Sequence, residues 1–172
     1  GCIGCHEPPN TTVPTRDVLA LRREPSVLTP GPDGSRPFSF PRLVQPVLDQ
    51  FCTRCHSPDA GSQFAKPDLT GLPQGEFTRS YVNLRPYLRW YEWGGGSISQ
   101  IVTRPGQLGA DASPLLKILQ DPTHLKAVTL DRPALSRLTL WLDANVPFYG
   151  SYESSKREEQ RLGALISLPE LQ

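Results

Sequence analysis

The sequence predicts a mainly α-helical domain in which short helices hang on long, ordered loops rich in proline and glycine. Three observations lead there. Nineteen prolines and fourteen glycines in 172 residues are too many for a regular bundle, because proline removes a backbone donor and glycine gives up conformational entropy on ordering. Several short stretches carry apolar residues at helical spacing. The pattern Cys, two residues, Cys, His occurs twice, as Cys2-Ile3-Gly4-Cys5-His6 and Cys52-Thr53-Arg54-Cys55-His56, and uses all four cysteines.

An apolar content of 37% over this length suits one globular domain and is short for two. The formal net charge is +1, without a block of like charges, so the basic stripe of a nucleic-acid binder is missing. No run of eighteen apolar residues occurs, so no transmembrane span is expected. The expectation is a mature, processed chain with no signal peptide before Gly1.

Four cysteines admit two disulfides, a zinc site, redox dithiols or haem attachment, and the histidines decide between them. In each cluster a His follows the second Cys directly, which is the haem c attachment signature. Cys2 and Cys5, and then Cys52 and Cys55, would form thioether bonds to a porphyrin, while His6 and His56 would reach its iron as proximal ligands. A four-cysteine zinc site leaves the repeated His unexplained. Thioredoxin-like motifs sit at a strand-to-helix junction, whereas GCIGCH opens the chain. A disulfide across Cys-x-x-Cys closes a very tight loop. The expected cofactors are therefore two haem c groups.

The chain has three histidines and no methionine. Two irons offer four axial positions, of which His6 and His56 take two. His124, in DPTHLKA, is the one remaining histidine and the expected distal ligand of one haem. Six-coordinate, low-spin iron suits electron transfer. The other iron is short of a ligand: its sixth position is open, water-filled, or held by an unusual donor such as a Tyr, a Lys, the Gly1 amine or a group from another subunit.

The elements follow in order. RDVLALRREPSVLTPGPDGSRPFSFP predicts a short helix around Val18 to Leu21 and then a Pro/Gly loop, a packed strap because it carries Phe38 and Phe40. FPRLVQPVLDQFCTRCH sets Leu43, Val47, Leu48 and Phe51 on one stripe facing the second haem, in a helix kept short or kinked by Pro46. YVNLRPYLRWYEWGGGS gathers Tyr81, Tyr87, Trp90, Tyr91 and Trp93, mostly as core filling. Within it Arg85, Arg89 and Trp90 are candidates for haem contacts, the arginines through propionates, and Gly94 to Gly96 mark a turn near a haem edge. DASPLLKILQD reads as a short helix capped by Asp111 or Ser113, with Pro114 in its first turn and His124 on a loop just beyond. The best helix is DRPALSRLTLWLDAN, with Asp131 as cap, Pro133 in the first turn and Leu135, Leu138, Trp141 and Leu142 on one face. A helix before CTRCH crossing a later one over a haem is the arrangement of small cytochromes c.

Residues 1–150 are thus expected to form a dihaem cytochrome c domain, with the first haem in 1–40 and the second in 41–150. Residues 151–172 form a C-terminal extension. In its KREEQR run the pairs Lys156 with Gln160 and Arg157 with Arg161 do not favour ion pairing. Leu165, Ile166, Leu168 and Leu171 need a surface, either on their own domain as a strap or on another subunit as a docking arm.

The phrases RPFSFPRLVQPVLDQFCTRCH, FTRSYVNLRPYLRWYEWGGGSISQIVTRPGQLGADASPLLKIL and LTLWLDANVPFYGSY resemble the dihaem C-terminal part of planctomycete proteins related to the hydrazine synthase alpha subunit. The resemblance covers most of residues 1 to 152. It implies that His56 is the proximal and His124 the distal ligand of the second haem, and that longer relatives carry an upstream domain. In hydrazine synthase the catalytic first haem takes a tyrosine shortly after its Cys-x-x-Cys-His as iron ligand, leaving the motif His for zinc. Here Asn10 stands at that place and no Tyr occurs before Tyr81, so His6 is expected to ligate iron and hydrazine synthesis is not carried over.

The expectation is an extracytoplasmic dihaem electron carrier rather than an enzyme, passing electrons between redox partner proteins. The alternative is a haem enzyme acting on a nitrogen compound or peroxide at an incompletely ligated first haem. A third reading stacks copies of the chain into a homo-oligomer or filament in which the haem of one meets a haem of the next.

Overall fold

The computed structural model describes residues 22–31, 34, 36–61, 67–91 and 104–166. The chain divides into two compact units, Gly1–Pro30 and Gly31–Gln172. In the first, residues 22–30 are exposed, and Arg23 donates to the Ser26 hydroxyl at 2.8 Å. Cys2, Cys5, His6, Asn10 and the expected helix at Val18 to Leu21 lie outside the described residues, as do Trp93, Gly94 to Gly96, Leu168 and Leu171.

The described elements of the second unit are helical apart from one hairpin. Helices α1 (Phe40–Leu43) and α2 (Gln45–Phe51) are separated at Val44, and Pro46 sits in the first turn of α2, where its missing N–H costs nothing. The hairpin pairs β1 (Pro73–Gln74) with β2 (Phe77–Thr78), with Gln74 opposite Phe77. Helix α3 (Arg79–Leu84) starts at Thr78, whose hydroxyl accepts from the Tyr81 N–H at 3.4 Å. Then come α4 (Pro114–Leu119), α5 (Pro122–Ala127), α6 (Arg132–Asp143) and α7 (Arg157–Arg161). No helix among the described residues is long and apolar enough to cross a membrane.

The core is aromatic at its centre. Phe40 and Trp141 are both fully buried, with ring centroids 5.0 Å apart, and Tyr81 meets Phe40 edge-on at 5.2 Å. Phe148 stacks on Phe40 at 5.7 Å. Val44, Val47 and Leu48 from the first helices and Leu138 and Leu142 from α6 close the cluster. On α6 the buried face is Ala134, Leu138, Trp141 and Leu142. Leu135, expected on that face, is 41% exposed, because Ala134 takes the inward position one residue earlier.

The ends of α6 are chemically fixed. Asp131 accepts from the Ala134 N–H at 2.7 Å, the N-cap that the sequence predicts. At the other end Asn145 takes a left-handed φ of 66°. Its N–H reaches the Leu142 carbonyl at 3.2 Å, and the Val146 N–H reaches that of Trp141 at 3.0 Å, which is a Schellman closure with Asn in place of Gly. The Asn145 side chain then pairs with both backbone groups of Tyr91, at 2.7 and 2.8 Å, and the Tyr81 hydroxyl donates to the Val146 carbonyl at 2.9 Å.

Through residue 166 the C-terminal segment lies on its own unit. Gln160, buried in α7, accepts from Gly150 N–H at 3.1 Å and donates to the Ser151 hydroxyl at 2.9 Å. Arg42 donates to the Gly163 carbonyl at 2.9 Å, and Arg157 pairs with Glu76 of the hairpin turn at 3.2 Å. Lys156 and Arg161 pair with Glu153 and Glu158, so the i,i+3 spacing carries the ion pairs of this run. Leu162 and Leu165 remain largely exposed.

Candidate functional site

Helix α2 delivers the second Cys-x-x-Cys-His motif. Cys52 closes onto the Leu48 carbonyl at 2.8 Å, and the His56 N–H returns to the Cys52 carbonyl at 2.9 Å. The motif is therefore one further turn wound on the end of α2, and Cys52, Cys55 and His56 all face one hollow. Cys52 and Cys55 are thiols, not a disulfide. Burial pushes the Cys52 thiol up to about 11, with Cys55 beside it adding to the rise and Arg54 opposing it.

The chain after the motif is pinned as a second wall. Leu69 N–H donates to the His56 carbonyl at 2.8 Å. The buried Gln45 amide donates to the Leu69 carbonyl at 3.1 Å and to Asp49 at 2.8 Å, and accepts from Ser80 at 2.5 Å. Asp68 accepts from the Thr70 N–H and hydroxyl at 2.9 and 2.7 Å and pairs with Arg79 at 3.1 Å. Desolvation works against its charge, but these Thr70 bonds and Arg79 outweigh it and hold the carboxyl below its ordinary value.

The remaining walls come from far along the chain. Leu115, Ile118 and Leu119 of α4, His124 and Ala127 of α5, and Leu138 of α6 face Leu48, Phe51, Leu69, Leu84 and Tyr87 around a cavity of about 350 Å³. Its lining is almost wholly apolar, and the volume falls in the range of cofactor sites. His124 rides on α5, not on a loop as expected: Pro122 presets the first turn and the Asp121 carboxylate accepts from the Thr123 N–H at 2.8 Å. Ser113, expected as a side-chain cap for α4, instead donates to the Gly109 carbonyl at 2.7 Å and accepts from the Arg89 N–H at 3.0 Å.

The imidazoles of His56 and His124 are parallel within 1°, with ring centroids 6.4 Å apart. A metal–nitrogen bond of about 2.0–2.1 Å on each side, plus about 1.2 Å from each ring centre to its nitrogen, requires roughly 6.4–6.6 Å for one metal held between two imidazoles. Among the described residues no three His, Cys, Asp or Glu side chains gather to hold a bare metal ion. Zinc wants four such donors, whereas an iron already held by four porphyrin nitrogens lacks two. Two parallel imidazoles, two motif thiols and an apolar hollow are a donor set and lining that fit a haem c.

The other candidates are placed differently. The Arg85 guanidinium stacks over the Trp90 ring at 5.1 Å, and the Arg89 side chain donates to the Leu88 carbonyl at 2.9 Å. None of Arg85, Arg89 and Trp90 lines the cavity. Arg54 and Tyr87 do. Arg54 occupies a variable position of the motif, where its sequence context gives no signal of a role. Comparison with protein-family models, with curated proteins and with solved structures finds no match to this chain.

Proposed function

We propose that the chain is a c-type cytochrome that carries electrons, with its second haem attached to Cys52 and Cys55 and ligated by His56 and His124. The observation that carries this reading is the parallel pair of imidazoles at metal-bridging separation beside the two motif cysteines. Bound there, the haem supplies a one-electron couple. His56 is anchored by its place on the extra turn of α2, and His124 by α5. Leu48, Leu69, Leu115, Leu119 and Leu138 would keep water from the iron, the low polarity they give the site would raise its potential, and two protein ligands would limit the rearrangement that accompanies each electron. With His56 and His124 both holding the iron, the site would favour electron transfer over chemistry on a small molecule. The first motif has the same donors in Cys2, Cys5 and His6, and a second haem c there makes the chain a dihaem carrier. Export fits this reading, because thioether attachment belongs to extracytoplasmic proteins.

Intact-protein mass and electron paramagnetic resonance test the proposal together. The expected result is a mass increased by two haems and a low-spin signal from a bis-imidazole centre that disappears in His124→Ala. A mass equal to the bare polypeptide, or no such signal in the native protein, overturns it.

A further inference from the structure

We infer that Arg54, inside the second Cys-x-x-Cys-His motif, is a positioning residue that latches the His124-bearing helix over the cavity and so keeps the distal imidazole on its metal. This rests on the haem reading above. Helix α5 is six residues long and buries none of them. Thr123, Lys126 and Ala127 are exposed and Leu125 is half exposed, while His124 is turned into the cavity lining. A helix this short does not hold itself together in water, so its position depends on what grips its ends.

Its N-terminal end has the Asp121 cap and the neighbouring α4. At its C-terminal end the last carbonyls lack partners within the helix. The Arg54 guanidinium donates to the last of them, that of Ala127. A cation there is also favoured by the helix dipole. Arg54 stands between Cys52 and Cys55, so its backbone belongs to the segment that would carry the haem. One side chain therefore ties the attachment point to the element bearing the distal ligand. Without it, the C-terminal end of α5 keeps only the contacts of Val128 at the cavity wall and Leu130 against the core, and His124 is held less firmly.

The test uses the haem-loaded full chain as wild type, Arg54→Ala, Arg54→Lys and His124→Ala. Carbon monoxide association with the reduced protein is followed by stopped flow, and amide exchange of Leu125 and Val128 by hydrogen–deuterium exchange. The expected result for Arg54→Ala is an association rate at the second haem raised about tenfold toward the His124→Ala ceiling, the weight of one hydrogen bond from a charged donor. Exchange at Leu125 and Val128 should quicken by a similar factor, with the α6 amides unchanged. Arg54→Lys, which keeps a cationic donor, should recover most of the slow binding. Wild-type rates and exchange in Arg54→Ala, with the bis-imidazole signal intact, overturn the latch and leave the haem reading standing. Absence of that signal in wild type overturns both.

Discussion

At the scale of single residues, the environment of Cys52 makes a sharp statement about its free thiol. Its folded value of about 11 lies above the ordinary 9.0, so the neutral thiol is favoured by folding. That contribution is present below pH 9 and is lost as pH rises toward 11. In the haem-free chain at pH 8 the thiolate fraction of Cys52 falls by about 100-fold relative to an unperturbed thiol. Iodoacetamide alkylation mapped by mass spectrometry should therefore be slower at Cys52 by a factor of that order than in the urea-unfolded chain, since only the thiolate reacts. Equal rates in the two states would remove the desolvation argument. A thiol kept neutral and turned into an apolar hollow is protected from oxidation and from stray metal. His124 shows how a residue type can single out a position: with three histidines and no methionine, counting picked it, and the structure places it in the cavity lining parallel to His56. What the sequence does not reveal is Arg54, whose partner is a backbone carbonyl 73 positions away and leaves no mark in composition or spacing.

At the scale of elements, legibility follows how local the determining interactions are. Helix α6 was readable because its cap, its first-turn proline and its apolar stripe lie within fourteen residues of one another, and the Asp131 bond to Ala134 N–H is as drawn. Replacing that carboxylate, Asp131→Ala, should cost about 1 kcal/mol of stability, read as a shift of the urea midpoint at constant slope. No shift would mean that the helix starts elsewhere in solution. Its inward face was misjudged by one residue because Leu is the more apolar choice at 135, while the packing geometry accepts the small Ala134. Helix α5 was taken for a loop since six residues carry too little periodicity to register, though DPT holds the Asx cap and the proline that begin it. The hairpin and the Gln45 network went unseen for another reason: two-residue strands and a buried amide joining Asp49, Leu69 and Ser80 are products of the tertiary fold. The arginines offered to the propionates were chosen by proximity in sequence to aromatics, and Arg85 indeed meets Trp90, as a cation over its ring.

For the whole molecule, the hollow is a cost, with a sealed and dry cavity as its upper bound. A dry void of 350 Å³, at about 24 cal/mol per Å³, would cost on the order of 8 kcal/mol, comparable to the entire stability of an ordinary domain. Water entering at the mouth relieves part of this. The haem-free chain should accordingly melt at least about 10 °C below the loaded protein, followed by far-UV circular dichroism. Coincident transitions would show that the walls of the cavity do not depend on what fills it. Those walls are drawn from residues 48–56, 67–87 and 115–138, stretches that the ribosome produces well apart in time. Under the proposed haem reading, the proximal side lies early in the chain and the distal side late: Cys52, Cys55 and His56 come first, and His124 follows His56 by 68 residues. A group attached before residue 124 is in place would then keep an uncovered apolar face, so the order of attachment and folding would matter for this chain.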